Sequence, residues 1–409
     1  MERNKATLLA CVIGNALEWY DFTLYALLAT IIANLFFPQY DKHIALINSF
    51  GIFAIGYLMR PLGGLLLGHI GDKISRKKAL IITILVMGVA TTLIGLLPSY
   101  QHWGVMSAIL LAVLRMIQGL GVGGEYPGSM VLLIEITPQE NNVFIASLSF
   151  IGAVCGMFLA SIVSMLVSHS MSHHAFATWG WRIPFLLGIV LAALGIYIRL
   201  KLWRNDMPIL YGNTKKPVVL LFTQFFKPLL YTIAIWSFTA VYTGCLMIFL
   251  VTYLTHYLHL SMKTALLSET LFTILVALAY LLGAKLVDKL QCYHRWMLIG
   301  LFVNVILIYP LFLLMGTNHI VIFMALAVAI IIGAMAQSPA IKVITGSFPK
   351  SVRYTGTALS MGFAMSLFAG TAPMLLIWMI EHFGTTAPAF YLILSAIVAM
   401  WGVNRTRTN

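Results

Sequence analysis

Apolar runs long enough to cross a bilayer alternate with short polar segments along almost the whole chain. About 20 predominantly apolar residues make a spanning helix. On that measure the pattern predicts twelve spans, over residues 7–36, 44–69, 79–98, 103–134, 142–168, 182–203, 224–256, 264–286, 295–315, 319–345, 354–380 and 385–403. The longest polar interruption, Trp203 to Pro217, falls at the midpoint and holds Arg204, Asp206, Lys215 and Lys216. The expected architecture is an all-α integral membrane protein with an N-terminal six-helix bundle over 1–203, a cytoplasmic linker over 204–222 and a C-terminal six-helix bundle over 223–409.

Composition agrees. Of 409 residues, 61% are hydrophobic and only 9% charged, with a mean hydropathy of +0.95. Soluble domains carry about 25% charged residues, so this much apolar surface needs lipid around it. The first apolar run is too long for a cleavable signal peptide and holds acids, so it reads as the first span. Cys11, Cys155, Cys245 and Cys292 are scattered, without metal-ligand spacing, and read as packing residues.

A formal charge of +13 invites a nucleic-acid reading, but its placement argues against one. With both termini inside, only Lys42, Arg182 and Lys263 fall on the outer side, and Arg60 and Arg115 lie within spans. The other Lys and Arg residues fall on the inner side, as the positive-inside rule requires. No phosphate-binding Gly-rich loop is present, so ATP is not expected to drive this protein.

Two acids stand where lipid penalises them. Glu18 lies roughly 18 Å along the first span from Ala6, near mid-membrane, and Asp21 follows one turn later. A carboxylate there costs roughly 2.5–3.5 kcal/mol on insertion scales. Asn15, Glu18, Asp21 and Tyr25 share one helical face. On the fourth span, Arg115 reaches a similar depth, with Gln118 one turn on. The two acids and the two arginines are expected to pair, since unpaired buried charge is costly. A protonatable Glu18 or Asp21 would then release Arg115 to bind a substrate carboxylate bidentately. The alternative is a permanent structural ion pair. Arg60 precedes Pro61 and Gly63-Gly64, and reads either as a structural partner of Asp21 or a carbonyl, or as a substrate contact. Glu125 sits among glycines and reads as a second proton station, a gate acid or a structural group.

In the second half, Trp236, Thr239, Tyr242 and Thr243 keep helical spacing. They form either an aromatic wall for a methylated ammonium or ordinary packing. Asn304, Gln337 and Lys342 are minor candidates, Glu269 and Glu381 lie near outer helix ends, and His169, His173 and His174 read as a solvated outer loop.

The loop after the second span holds Gly68, Asp72, Lys73, Ser75, Arg76, Lys77 and Lys78, and Ala284-Lys285 with Asp288-Lys289 echoes it after the eighth. This loop resembles the signature of the major facilitator superfamily. Further segments are similar to the metabolite:proton symporters, with the proline/betaine branch nearest. They are Asn15-Ala16-Leu17-Glu18-Trp19-Tyr20-Asp21-Phe22, Arg60-Pro61-Leu62-Gly63-Gly64, Gln118-Gly119, Gly123-Gly124-Glu125-Tyr126, Trp179 to Phe185, and Pro349 with Arg353 to Gly356. Lys is common in that branch where this chain has Arg115, Ser75 stands where the family usually has Gly, and Asn141-Asn142 stand where it commonly has Arg-Gly.

The resemblance implies two related bundles with a pseudo-two-fold axis and a site near the midplane, opened alternately to the two sides. It implies a cytoplasmic gate of Gly68, Asp72, Lys73, Arg76, Glu135 and Asp288. Asp72 would face the start of span 11 near Tyr354–Gly356, and Arg76 an acid such as Glu135. The function expected is proton-coupled import of a small carboxylate-bearing metabolite, an organic acid or a zwitterion such as proline or betaine, across a bacterial inner membrane. A proton-coupled exporter is the alternative. Substrate contacts are expected from Arg115, Gln118, Tyr20, Tyr25, Asn15, Trp236 and Tyr242, and proton exchange from Glu18, Asp21 and Glu125. No enzyme activity, cofactor or metal is expected. The partners are a small molecule, protons and the bilayer around a functional monomer.

Overall fold

The computed structural model describes residues 2–37, 51–202, 217–315 and 318–406. Among them, 11 single helices are long and apolar enough to cross a membrane, and a bent pair, Ala6–Leu27 with Ala29–Phe36, supplies a twelfth. The pair is bent by 60°. Counting it as span 1, the rest are span 2 (Gly51–Lys73), span 3 (Arg76–Leu96), span 4 (Val105–Ile136), span 5 (Gln139–His169), span 6 (Phe176–Lys201), span 7 (Phe226–Ile248), span 8 (Thr264–Leu290), span 9 (Tyr293–Leu314), span 10 (His319–Gly346), span 11 (Arg353–Phe383) and span 12 (Ala387–Thr406). The chain is a multi-pass, all-helical membrane protein. Most of the expected linker, as far as residue 216, lies outside the described residues, as do Lys42 and the side chains of His173 and Lys263.

Short polar residues start the helices. Ser75 accepts from the Lys78 amide at 3.1 Å to cap span 3, and Ser261 accepts from the Thr264 amide at 3.1 Å at the head of span 8. Such caps satisfy amide groups that the first turn leaves without partners. Gln291, in the left-handed region at φ 53°, ends span 8. π-helical turns open span 6 at Phe176–Gly180, close span 7 at Gly244–Ile248 and interrupt span 11 at Met365–Ala369.

Two compact units form, Met1–Ser129 with Ser149–Pro217, and Met130–Leu148 with Val218–Asn409. The second therefore includes the hairpin joining spans 4 and 5. In the first unit, spans 2 and 4 approach at backbone contact. A Cβ on Gly119 or Gly123 would collide with the carbonyls of Gly56 and Arg60. Small residues permit such approach between membrane helices. An apolar core of Tyr20, Leu24, Phe36, Trp181 and Phe185 fills one end of this unit. Leu58, Leu62 and Leu66, one helical turn apart on span 2, are exposed and form an apolar outer stripe.

Candidate functional site

Arg115 and Arg60 share an aromatic cage inside the first unit. The Arg115 Cζ lies 4.3 Å from the Tyr25 ring centroid, 5.1 Å from Phe22 and 5.2 Å from Phe53. The Arg60 Cζ lies 4.0 Å from Tyr57 and 4.8 Å from the same Phe22. Arg115 is fully buried and Arg60 5% exposed. Their helices place them by periodicity: Phe53, Tyr57 and Arg60 are about a turn apart on span 2, and Phe22 and Tyr25 on span 1. A planar, weakly hydrated guanidinium suits ring faces better than an ammonium would.

Arg115 Nη1 donates to Gln118 Oε1 at 2.8 Å, and Gln118 Nε2 donates to Thr91 Oγ1 at 2.6 Å. The Thr91 hydroxyl also lies within hydrogen-bonding reach of Asp21. A polar chain thus runs from Asp21 through Thr91 and Gln118 to Arg115. The Nε and Nη2 atoms of both arginines are buried without a hydrogen-bond partner among the described residues. This corrects the expected pairing. Neither Arg115 nor Arg60 forms an ion pair with Glu18 or Asp21 among the described residues; ring faces and an amide take the acids' place. Periodicity told which residues share a helix face, not which neighbouring helix that face meets.

The acids gather around a different space. Glu18, Asp21 and Glu125 line a small cavity with Gly14, Leu17, Ile84, Met87, Gly188, Leu191 and Ala192, with room for about one water molecule. Glu18 accepts from the Tyr126 backbone, while its Oε2 is buried without a partner among the described residues. Glu125 is held most firmly. Arg199 Nη1 donates to its Oε2 at 3.1 Å, Arg199 Nη2 donates to its Oε1, and the Thr83 hydroxyl donates to Oε2. Arg199 Nη1 also meets the Leu80 carbonyl. Sequence reasoning assigned Arg199 to the inner basic belt and missed this pair. A cation four residues inside the end of an apolar run was the available signal.

Other expected contacts have structural partners. The Tyr20 hydroxyl donates to the Pro184 carbonyl at 2.8 Å. Asn15 Nδ2 donates to Ser129 Oγ at 3.0 Å. In the second unit, the Tyr242 hydroxyl donates to the Ile330 carbonyl at 2.8 Å, its ring lying against Gly333. Trp236 Nε1, Thr239 Oγ1 and Thr357 Oγ1 are buried there without hydrogen-bond partners among the described residues.

Of the expected gate residues, Arg76 pairs with Asp72 one turn away, beside buried Gly68 and exposed Lys73. Glu135 pairs with Arg353 at 3.3 Å. Asp288 accepts from the amides of Val143 and Phe144 at 3.4 and 2.7 Å, capping the helix that starts at Asn142.

The Sugar (and other) transporter family model matches residues 6–204. The proline/betaine transporter of Escherichia coli (strain K12) is 31% identical over 418 residues, covering 96% of this chain and 81% of the relative. A putative proline/betaine transporter of Staphylococcus haemolyticus is 35% identical over 407 residues, covering 96% and 86%. This chain is a proline/betaine transporter-like member of the major facilitator superfamily. Its relatives include the E. coli (strain K12) inner membrane metabolite transport protein YhjE, 31% identical with 99% and 95% covered. The solved proton:xylose symporter XylE, bound to 6-bromo-6-deoxy-D-glucose, superposes with a TM-score of 0.72 at 17% identity over 99% of this chain and 95% of that one. A bacterial homologue of the iron transporter ferroportin gives 0.74 at 14% identity over 98% and 100%. These two likenesses speak for the fold. The family is one of transporters, and the chain is a transporter rather than an enzyme.

Proposed function

We propose that this transporter is a proton-coupled symporter that imports a small carboxylate-bearing metabolite by alternating access, with its termini in the cytoplasm and the proton gradient, not a cofactor, as its driving force. The observation that carries the reading is the polar chain Asp21–Thr91–Gln118–Arg115. A carboxyl group at one end and a guanidinium at the other are joined by two groups that each donate and accept. Protonating Asp21 turns its carboxylate from acceptor into donor. Thr91 then reorients, Gln118 follows, and the hold on Arg115 Nη1 changes. The substrate carboxylate takes the unpartnered Nε–Nη2 edge of Arg115, a planar fork matched to two oxygens. Glu18, which lines the cavity and whose Oε2 has no hydrogen-bond partner among the described residues, is the second proton-exchanging group, and Glu125 holds Arg199. The names of the proline/betaine relatives support a substrate with a carboxylate.

Proteoliposomes test this with radiolabelled proline, glycine betaine and succinate. Asp21→Asn and Glu18→Gln should lose accumulation driven by a pH gradient while keeping substrate exchange. Full gradient-driven uptake in both variants would sink the coupling role, and substrate-driven proton movement in the opposite direction would make the protein an exporter.

A further inference from the structure

Glu18 and Asp21 line the same cavity, yet no hydrogen bond joins them among the described residues. The polar chain from Asp21 to Arg115 therefore stops short of Glu18. Glu18 is 3% exposed, accepts from the Tyr126 backbone, and has an Oε2 without a partner among the described residues. Asp21 Oδ1 lies 3.5 Å from where a Cβ on Gly188 would stand, and Gly188 is part of the cavity wall. Small residues make this space: Cβ atoms on Gly14 and Gly188 would meet the Glu125 carboxyl and Asp21. It has room for about one water molecule. A buried water takes about two to four polar partners, and Glu18, Asp21 and Glu125 stand ready in the wall. The wall's other side chains, Leu17, Ile84, Met87, Leu191 and Ala192, are apolar, so a water's side-chain partners there are the acids alone.

Charge sorts the three acids. Arg199 from span 6 neutralises Glu125 from span 4. Arg60 from span 2 is within electrostatic reach of Glu18, and span 3 contributes the neutral hydroxyls of Thr83 and Thr91. Two carboxylates confined to one small apolar space repel, and one proton held between them removes that repulsion. We propose that the cavity holds one ordered water that bridges Glu18 Oε2 and Asp21, so that the two acids share a single proton. In the transfer, the O–H bond of protonated Glu18 breaks as the water oxygen takes that proton. The water gives one of its own protons to the Asp21 carboxylate. The water is left neutral, Glu18 ionised and Asp21 protonated. Asp21, now a donor, acts on Thr91. This rests on the symporter reading above and adds the link by which its second acid reaches the chain to Arg115. It puts the proton in a space that borders neither arginine of the cage.

Radiolytic footprinting of the purified protein in lipid nanodiscs reads the water, because hydroxyl radicals formed from a bound water oxidise the side chains beside it. Met87 lines the cavity, and Met297 on span 9 is at least as deeply buried, 0% exposed against 2%. Met87 should be oxidised at least about fivefold faster than Met297. Ala192→Val, which fills the space, should bring the two rates within about twofold. In proteoliposomes with radiolabelled proline, glycine betaine and succinate, that variant should lose gradient-driven uptake about tenfold or more while keeping substrate exchange. Ile84→Ala enlarges the space and should keep uptake within about twofold. Ile84→Phe fills the space from span 3 and takes the place of Ala192→Val if that variant does not fold. Protons carried per substrate, from the reversal potential, should be about one. Met87 oxidised no faster than Met297 in the unsubstituted protein would overturn the water. Full gradient-driven uptake in the filled variant, or two protons per substrate, would overturn the sharing. An unsubstituted protein that accumulates none of the three substrates under a pH gradient would overturn the symporter reading, and the Met87 rate would still judge the water.

Discussion

Arg199 and Glu125 form a two-pronged ion pair, buried on both sides and 74 positions apart in sequence, that ties span 6 to span 4 inside the first unit. Removing one partner leaves the other charged and buried, which costs about 3–5 kcal/mol. Arg199→Met and Glu125→Gln should therefore each lower thermal stability strongly. The double variant should recover part of the loss, because neither charge is then stranded. A double variant at the sum of the two single losses would mean the groups do not act as a pair.

Gly14 holds the space this pair occupies. A Cβ there would fall on the Arg199 guanidinium and the Glu125 carboxyl, both fixed by further bonds to Leu80 and Thr83. Gly14→Ala should destabilise by about 1–3 kcal/mol, the usual cost of overpacking. Gly51→Ala, whose Cβ would meet no atom of the described residues within 4 Å, is the control and should stay within about 0.5 kcal/mol. Equal melting of the two variants would contradict the account.

Thr91 is a positioning residue between Asp21 and Gln118. Thr91→Val keeps the shape and removes the hydroxyl. Gradient-driven uptake should fall about tenfold or more, equivalent to at least about 1.4 kcal/mol, with substrate affinity nearly unchanged. Thr91→Ser should restore it. A parallel loss of affinity and uptake in the valine variant, unrescued by serine, would assign Thr91 a packing role instead.

Asp288 caps the helix beginning at Asn142 from the end of span 8. An acidic group at a helix N-terminus contributes about 1 kcal/mol through the cap and the helix dipole. In Asp288→Ala the amides of Val143 and Phe144 should exchange with solvent roughly fivefold to tenfold faster, with Asp288→Asn in between. Hydrogen exchange read by mass spectrometry settles the point, and unchanged protection at both amides would count against the cap.

The spans were legible because apolar run length answers to a single constraint, the thickness of the bilayer. Their helices agree with the expected ranges to within several residues at most ends. The shared helix face of Glu18 and Asp21, which line one cavity, was legible for a similar reason, since helical periodicity is constant. Their partners were not. Arg115, expected opposite both acids, turns instead toward Tyr25 and Phe53, because the partner of a buried charge is set by which helices abut. Arg199 reads as topology-setting charge at the end of span 6, and only its neighbour on span 4 makes it structural. The bend after Leu27 has no proline or glycine at the break, so nothing in the local sequence announces it.

The π turns in spans 7 and 11 have a consequence for comparing this chain with its relatives. A π turn holds one residue more than the α turn it replaces, so every position beyond it is rotated by about 100° from where an unbroken helix would put it. Past Gly244–Ile248, the stripe begun by Trp236 and Thr239 no longer continues at intervals of three and four. A relative lacking that extra residue would match this chain letter by letter only on one side of the turn. Correct correspondence of side chains beyond it requires a one-residue gap at that turn, and the same holds at Met365–Ala369.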